Sequence, residues 1–98
     1  MSTIETVQFK LVPGTETAVF EDLDRKVETE YMARRPGFVS REVSRSEDGE
    51  YLVIVHWATP EDADATMNGF FGAAETQDFL AAVDKTTVRS ARYAKVVR

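Results

Sequence analysis

The only histidine and the only tryptophan of this 98-residue chain, His56 and Trp57, are neighbours at the end of the apolar run Tyr51-Leu52-Val53-Ile54-Val55. An imidazole titrates near neutrality and can act as a general base. An indole offers a ring face to a planar ligand and an N–H donor. Together they suggest binding and deprotonation of an aromatic molecule. Strand geometry separates them, however. Successive strand residues point to opposite faces, so Tyr51, Val53, Val55 and Trp57 share one side while Leu52, Ile54 and His56 share the other. Short of a bulge, the two side chains do not meet on one substrate. Each also has a plainer role, Trp57 as a large core residue and His56 as a sheet-face residue with its hydrogen bonds satisfied.

Other side chains offer recognition rather than reactivity. Tyr31, Tyr51, Met67, Phe70 and Phe71, with Phe9 on the first strand, could wall an apolar cavity beside Trp57, methionine adapting to irregular ligands. The same residues could equally pack on one another. Phe70-Phe71-Gly72 falls where a helix should loosen, a suitable place for a lid. Arg41, Arg89, Arg92 and Tyr93 could hold a carboxylate or phenolate, and interface salt bridges account for them as well. No nucleophile–base–orienter spacing, phosphate loop or metal motif is present, so no catalytic residue is assigned.

These residues are carried by elements that periodicity makes readable. Thr3 to Leu11 alternates, with Val7, Phe9 and Leu11 on one face and Thr6, Gln8 and Lys10 on the other, which is a strand ended by Pro13-Gly14. Over Glu16 to Arg35 the spacing of Phe20, Leu23, Val27 and Tyr31 predicts a helix, with Thr15 as N-cap and Pro36-Gly37 as its stop. Glu21–Arg25, Asp22–Lys26 and Glu30–Arg34 are acid-first pairs on its solvated side, each worth about 0.2–0.5 kcal/mol. Phe38 to Ser46 and Tyr51 to Trp57 read as strands joined by a turn at Asp48-Gly49. Thr59-Pro60-Glu61-Asp62 opens a second helix, Thr59 capping and Pro60 in the first position. Ala63, Met67, Phe70, Phe71 and Ala74 form its apolar side, with a break expected near Gly69 and Gly72. A further helical piece spans Glu75 to Val83, and Thr86 to Val97 is the last strand.

The order is βαββαβ. Right-handed crossovers fold it into a four-stranded antiparallel sheet with its helices on one face, an α+β, ferredoxin-like arrangement. The third strand is then central and apolar on both sides, while the helices cover one. Val7, Phe9 and Leu11 should join Tyr51, Val53, Val55 and Trp57 beneath the helices. Gln8, Leu52, Ile54 and His56 are left on the open side. A large apolar sheet face is costly in water, and a second copy related by a two-fold axis is its simplest cover. The expected assembly is a homodimer with sheets packed face to face.

The length suits one domain spanning residues 1–98. A formal net charge of −5 argues against a nucleic-acid surface. No run approaches the roughly 20 apolar residues of a membrane span, and the N-terminus lacks the pattern of a secretory signal. The absence of cysteine removes disulfides and thiolate metal sites. A cytoplasmic protein without membrane or nucleic-acid partners is the expectation.

The stretches RRPGFVSREV (Arg34 to Val43), DGEYLVIVHWATPEDA (Asp48 to Ala63) and the segment from Phe79 to Val96 resemble the antibiotic-biosynthesis monooxygenase-type domain of the dimeric α/β-barrel superfamily. The resemblance spans nearly the whole chain. It implies a homodimer with one pocket per subunit, between sheet and helices. It also implies a strand-ending Trp, here Trp57, lining that pocket. Some relatives oxidise polycyclic phenols with molecular oxygen and neither metal nor flavin, and others degrade haem. The second-helix stretch Ala65-Thr66-Met67-Asn68 lacks the His that many relatives carry. The implied function is a cofactor-independent monooxygenase-like protein binding a small aromatic or hydrophobic molecule. The alternative is a non-catalytic or stress-related binding dimer of the same fold.

Overall fold

The computed structural model describes residues 2–97. Strand β1 is Thr3–Leu11, helix α1 is Thr17–Glu30, and strands β2 and β3 are Phe38–Arg45 and Tyr51–Trp57. Helices α2 (Pro60–Phe70) and α3 (Gln77–Ala82) and strand β4 (Val83–Ala94) complete the chain. The sheet order is β2-β3-β1-β4 and every pairing is antiparallel. This is the ferredoxin-like α+β fold expected from the element order, with β3 and β1 central. No helix among the described residues is long and apolar enough to cross a membrane.

Element boundaries depart from expectation where local hydrogen bonds outweigh periodicity. Helix α1 is capped by Glu16, not Thr15. The Thr15 N–H is drawn into the preceding turn by Val12 O, and Glu16 O becomes the first helical acceptor, from Phe20 N–H. The helix ends at Glu30 and tightens into a 3-10 turn over Met32–Arg34. The ring of Pro36 disfavours helical backbone at Arg35, which is extended with ψ 142°. The anticipated charge pairs on α1 also differ. Arg25 pairs with Asp22, one turn back, and Glu21 turns instead to Tyr51 and Arg45. Thr59 does cap α2, its Oγ1 accepting from Asp62 N–H at 3.1 Å. The break after α2 comes at Phe71–Ala73, and β4 starts at Val83, three residues early, because Val83 pairs with Leu11.

Strand register sets the helix-facing side in rows. Phe38, Trp57, Thr3 and Ala94 form one row, and Arg41, Val55, Glu5 and Arg92 the next. Val43, Val53, Val7 and Ser90 follow, then Arg45, Tyr51 and Phe9. The buried core is built on this side, where Trp57, Tyr51, Phe9, Phe20, Val27 and Val55 are its largest fully enclosed apolar side chains. Ile4, Thr6, Gln8, Leu52, Ile54 and His56 occupy the opposite side and are half-buried.

Candidate functional site

A cavity of about 220 Å³ lies between the sheet and the helical layer. The sheet contributes Glu5, Val7 and Phe9 from β1, Arg41 from β2, and Val53 and Val55 from β3. Met67, Phe70, Phe71, Phe79 and Leu80 cover it from α2, the break and α3, and Met32 closes it from the 3-10 turn. Val83, Lys85, Val88 and Ser90 of β4 complete the wall.

The cover is held by aromatic contacts that run continuously from sheet to rim. Tyr51 stacks on Phe9 at 5.7 Å, Phe20 meets both Tyr51 and Phe79, and Phe79 meets Phe70 edge-on at 6.0 Å. Phe70 in turn abuts Tyr31 and Phe71. Phe71 is 63% exposed although it lines the cavity, so it stands at the mouth. It was expected on the inward side of α2. The inward residues of α2 are Ala63, Thr66 and Phe70, and the Thr66 hydroxyl donates to Asp62 O. Thr76 anchors the break by donating to Phe70 O and Ala73 O.

Of the ligand-binding residues read from sequence, Phe9, Met67, Phe70 and Phe71 reach the cavity wall, and Trp57, Tyr51 and Tyr31 do not. Trp57 is fully enclosed and packs edge-on against Phe38 at 5.9 Å. Its row lies one step beyond the Arg41–Val55–Glu5 row, which stands between it and the cavity. Its Nε1–H has no hydrogen-bond partner among the described residues. Tyr51 is held beneath α1 by its hydroxyl, which donates to Glu21 Oε2 at 2.8 Å. Tyr31 donates to Thr66 O at 3.1 Å and carries the Arg35 guanidinium 4.6 Å above its ring. His56 lies on the far side of the sheet, so His56 and Trp57 form no pair. Gln8, Leu52 and Ile54 share that face with it.

The polar groups at the cavity are ones that sequence reading passed over or left undirected. Glu5 has the parity of Val7 and Phe9, and a carboxylate on an inward-facing position was the available signal. Arg41 shares its face with Val43 on β2. The Arg41 side chain is 3% exposed and clamps Asp24 with both terminal nitrogens, at 2.6 and 3.0 Å, while Nη1 also reaches Glu28 at 3.0 Å. Burial lowers the guanidinium pKa, but the hydrogen bonds and charges of Asp24 and Glu28 outweigh it, so the net shift is upward. Asp24 and Glu28 sit one turn apart on α1, so the pairing also docks that helix on β2. Glu5 Oε2 accepts from both Nε and Nη2 of Arg92 at 3.3 Å, and Arg92 Nη1 reaches Asp64 on α2. The bond to Asp64, opposed by burial and helped by Glu5, holds the Arg92 pKa up. Arg89, the remaining arginine of β4 considered above, pairs with Glu50, and Tyr93 is exposed.

This site is a mainly apolar pocket, open at Phe71 and along β4, with Glu5 and Arg41 on its floor, set in the fold of antibiotic-biosynthesis monooxygenase-type proteins. No family model matches the chain, and no curated protein matches it. Among solved structures, the chain is similar to SnoaB, a cofactor-independent oxygenase from Streptomyces nogalater. The TM-score is 0.77 at 19% identity, over 99% of this chain and 95% of that one. It is similar to Rv0793 from Mycobacterium tuberculosis, with a TM-score of 0.70 at 17% identity over 100% and 98%. A Nitrosomonas europaea protein named provisionally as an antibiotic biosynthesis monooxygenase gives a TM-score of 0.73 at 15% identity over 97% and 99%. At such identities the likeness is one of fold.

Proposed function

We propose that the chain binds a small aromatic molecule in the chamber between sheet and helices and is a cofactor-independent monooxygenase-like protein. The observation that carries this reading is the 220 Å³ cavity, lined by Phe9, Phe70, Phe79, Met32 and Met67, with Glu5 and Arg41 as its buried ionic groups. Such a site desolvates and orients a planar substrate. For an anthrone-type substrate the reaction needs little more. A methylene proton is lost, the resulting carbanion passes one electron to oxygen, and the radical pair joins as a peroxide. Loss of water from the peroxide leaves a ketone, one oxygen atom entering the product and the other leaving as water. The protein's part is proximity, orientation and a dry setting for the anion.

Oxygen uptake is measured on adding phenols, anthrones and quinols of two and three fused rings, in parallel with Val53→Phe, which fills the cavity floor. Uptake by the unaltered protein and its loss in Val53→Phe is the expected result. No uptake with any compound removes the oxygenase reading.

A second reading, a non-catalytic binding protein, is favoured by one feature. Glu5 and Arg41 are both tied into ion pairs, and the imidazole lies across the sheet. It predicts that an apolar ligand raises the melting temperature without turnover, since binding the native state alone raises apparent stability.

We also propose that a second copy of the chain covers the open sheet face. Ile4, Leu52 and Ile54 give that face an apolar centre at the middle of the sheet, supporting a two-fold, sheet-to-sheet dimer.

A further inference from the structure

We infer that the chamber is matched to a neutral two-ring aromatic ketone bearing a hydroxyl, with the ketone oxygen at Arg41 and the hydroxyl at Glu5. The inference rests on the ligand-binding reading above and adds the ligand's size, charge and orientation. Size follows from the cavity volume of about 220 Å³. A cavity near 150 Å³ accommodates a single benzene ring, and pockets for drug-sized ligands begin at about 300 Å³. Two fused rings fall between.

Orientation follows from register. Arg41 and Glu5 are both cross-strand neighbours of Val55, one from β2 and one from β1. Their Cα atoms are two strand spacings apart, about 10 Å, with the apolar surface of Val55 and Val53 between. A ring system laid across these valines presents one edge to each group.

Charge follows from the partners already in place at the two buried groups, since Lys85, the third charged lining residue, is exposed on β4 and donates to Leu80 O at 2.8 Å. Arg41 makes three hydrogen bonds, to Asp24 and Glu28, out of five N–H donors. Its positive charge already faces two carboxylates, so a third anion is repelled while a carbonyl oxygen takes the remaining donors. On the other side Arg92 binds Glu5 through Oε2 alone, and Oε1 has no hydrogen-bond partner among the described residues. With its charge answered by Arg92, Glu5 offers an acceptor for a hydroxyl rather than a seat for an ammonium. Each group presents hydrogen-bonding capacity without an uncompensated charge.

The test is titration calorimetry of the full chain with a ligand series on one skeleton: tetralin, 1-tetralone, 6-hydroxytetralin, 6-hydroxy-1-tetralone and 6-hydroxy-2-naphthoate. Each oxygen should tighten binding by roughly tenfold, and the carboxylate should bind more weakly than the hydroxy ketone. In Glu5→Leu, where Arg92 keeps Asp64, the hydroxyl's gain should vanish while the ketone's persists. The Arg41 half is read on the unaltered protein, because removing Arg41 strands the buried Asp24. Tetralin binding with no gain from either oxygen overturns the inference and leaves the ligand-binding reading standing. Tighter binding of the carboxylate, or of a three-ring anthrone, overturns the charge or the size assignment. Absence of binding by every compound removes both readings together.

Discussion

Tyr51 packs its ring between Phe9 and Phe20 and delivers its hydroxyl to the Glu21 carboxylate. Burial and the bond to Glu21 push its pKa up to about 12. In an unfolded chain the phenol ionises near 10. Above that pH the unfolded state sheds a proton that the folded state keeps, so stability is full below about pH 10 and falls as pH approaches 12. Tyr51→Phe should cost about 1 kcal/mol at neutral pH. Its deficit should shrink across the alkaline window, because the substituted chain has no such proton to lose. Urea midpoints of both proteins at several pH values check this, and a constant difference would count against it. Trp57 illustrates what residue types alone conceal. Its place on the inward face followed from alternation, but its distance from the cavity depended on which residues lie in the neighbouring row. Register between strands fixes that row, and no local pattern encodes it.

At the scale of elements, the entry to α2 is assembled from two distant segments. Thr59 caps the helix and also donates to Asp62 Oδ2, which fixes the Asp62 side chain. Gly37, at the start of β2, lies directly against that side chain. A Cβ there would fall 2.0 Å from Asp62 Oδ2, and its φ is +80°. Gly14 has a similar φ of +89° but faces open space. Gly14→Ala should therefore cost about 1 kcal/mol for backbone conformation alone, whereas Gly37→Ala should cost about 2–3 kcal/mol, adding the loss of the cap. Chemical denaturation separates the two, and equal midpoints would refute the contact. Periodicity made the strands and the long helix legible, and it placed Phe9, Met67 and Phe70 facing inward. It did not reveal Asp24 and Glu28 gripping Arg41. Those acids look like any solvated helix face until β2 is laid beneath them.

For the whole molecule, the one-sided helical layer is the ground on which a dimer is proposed. Light scattering at micromolar concentration should give twice the chain mass, and Ile54→Glu, placing a charge at the centre of the open face, should halve it. A monomeric mass for the unaltered chain would falsify the dimer. It would not bear on the residues that floor the cavity, which face the helices on the opposite side of the sheet from Ile54.

The irregularity between β1 and β4 bears on how this architecture tolerates change. From Lys10 to Gln8 the first strand advances two residues while its partner advances five, Asp84 to Arg89. The Lys10 N–H is taken up by Thr87 Oγ1 instead of a backbone carbonyl. Because the surplus is odd, it reverses the alternation of β4 partway along. Val83 can therefore face the helical side at one end while Ser90 and Arg92 do so at the other. Deleting a single residue between 85 and 88 makes the surplus even. Either Val83 then leaves the core or Arg92 swings away from Glu5 and Asp64. Length variation in this short stretch is thus read out as an inversion of one end of β4, while substitutions there alter only single side chains.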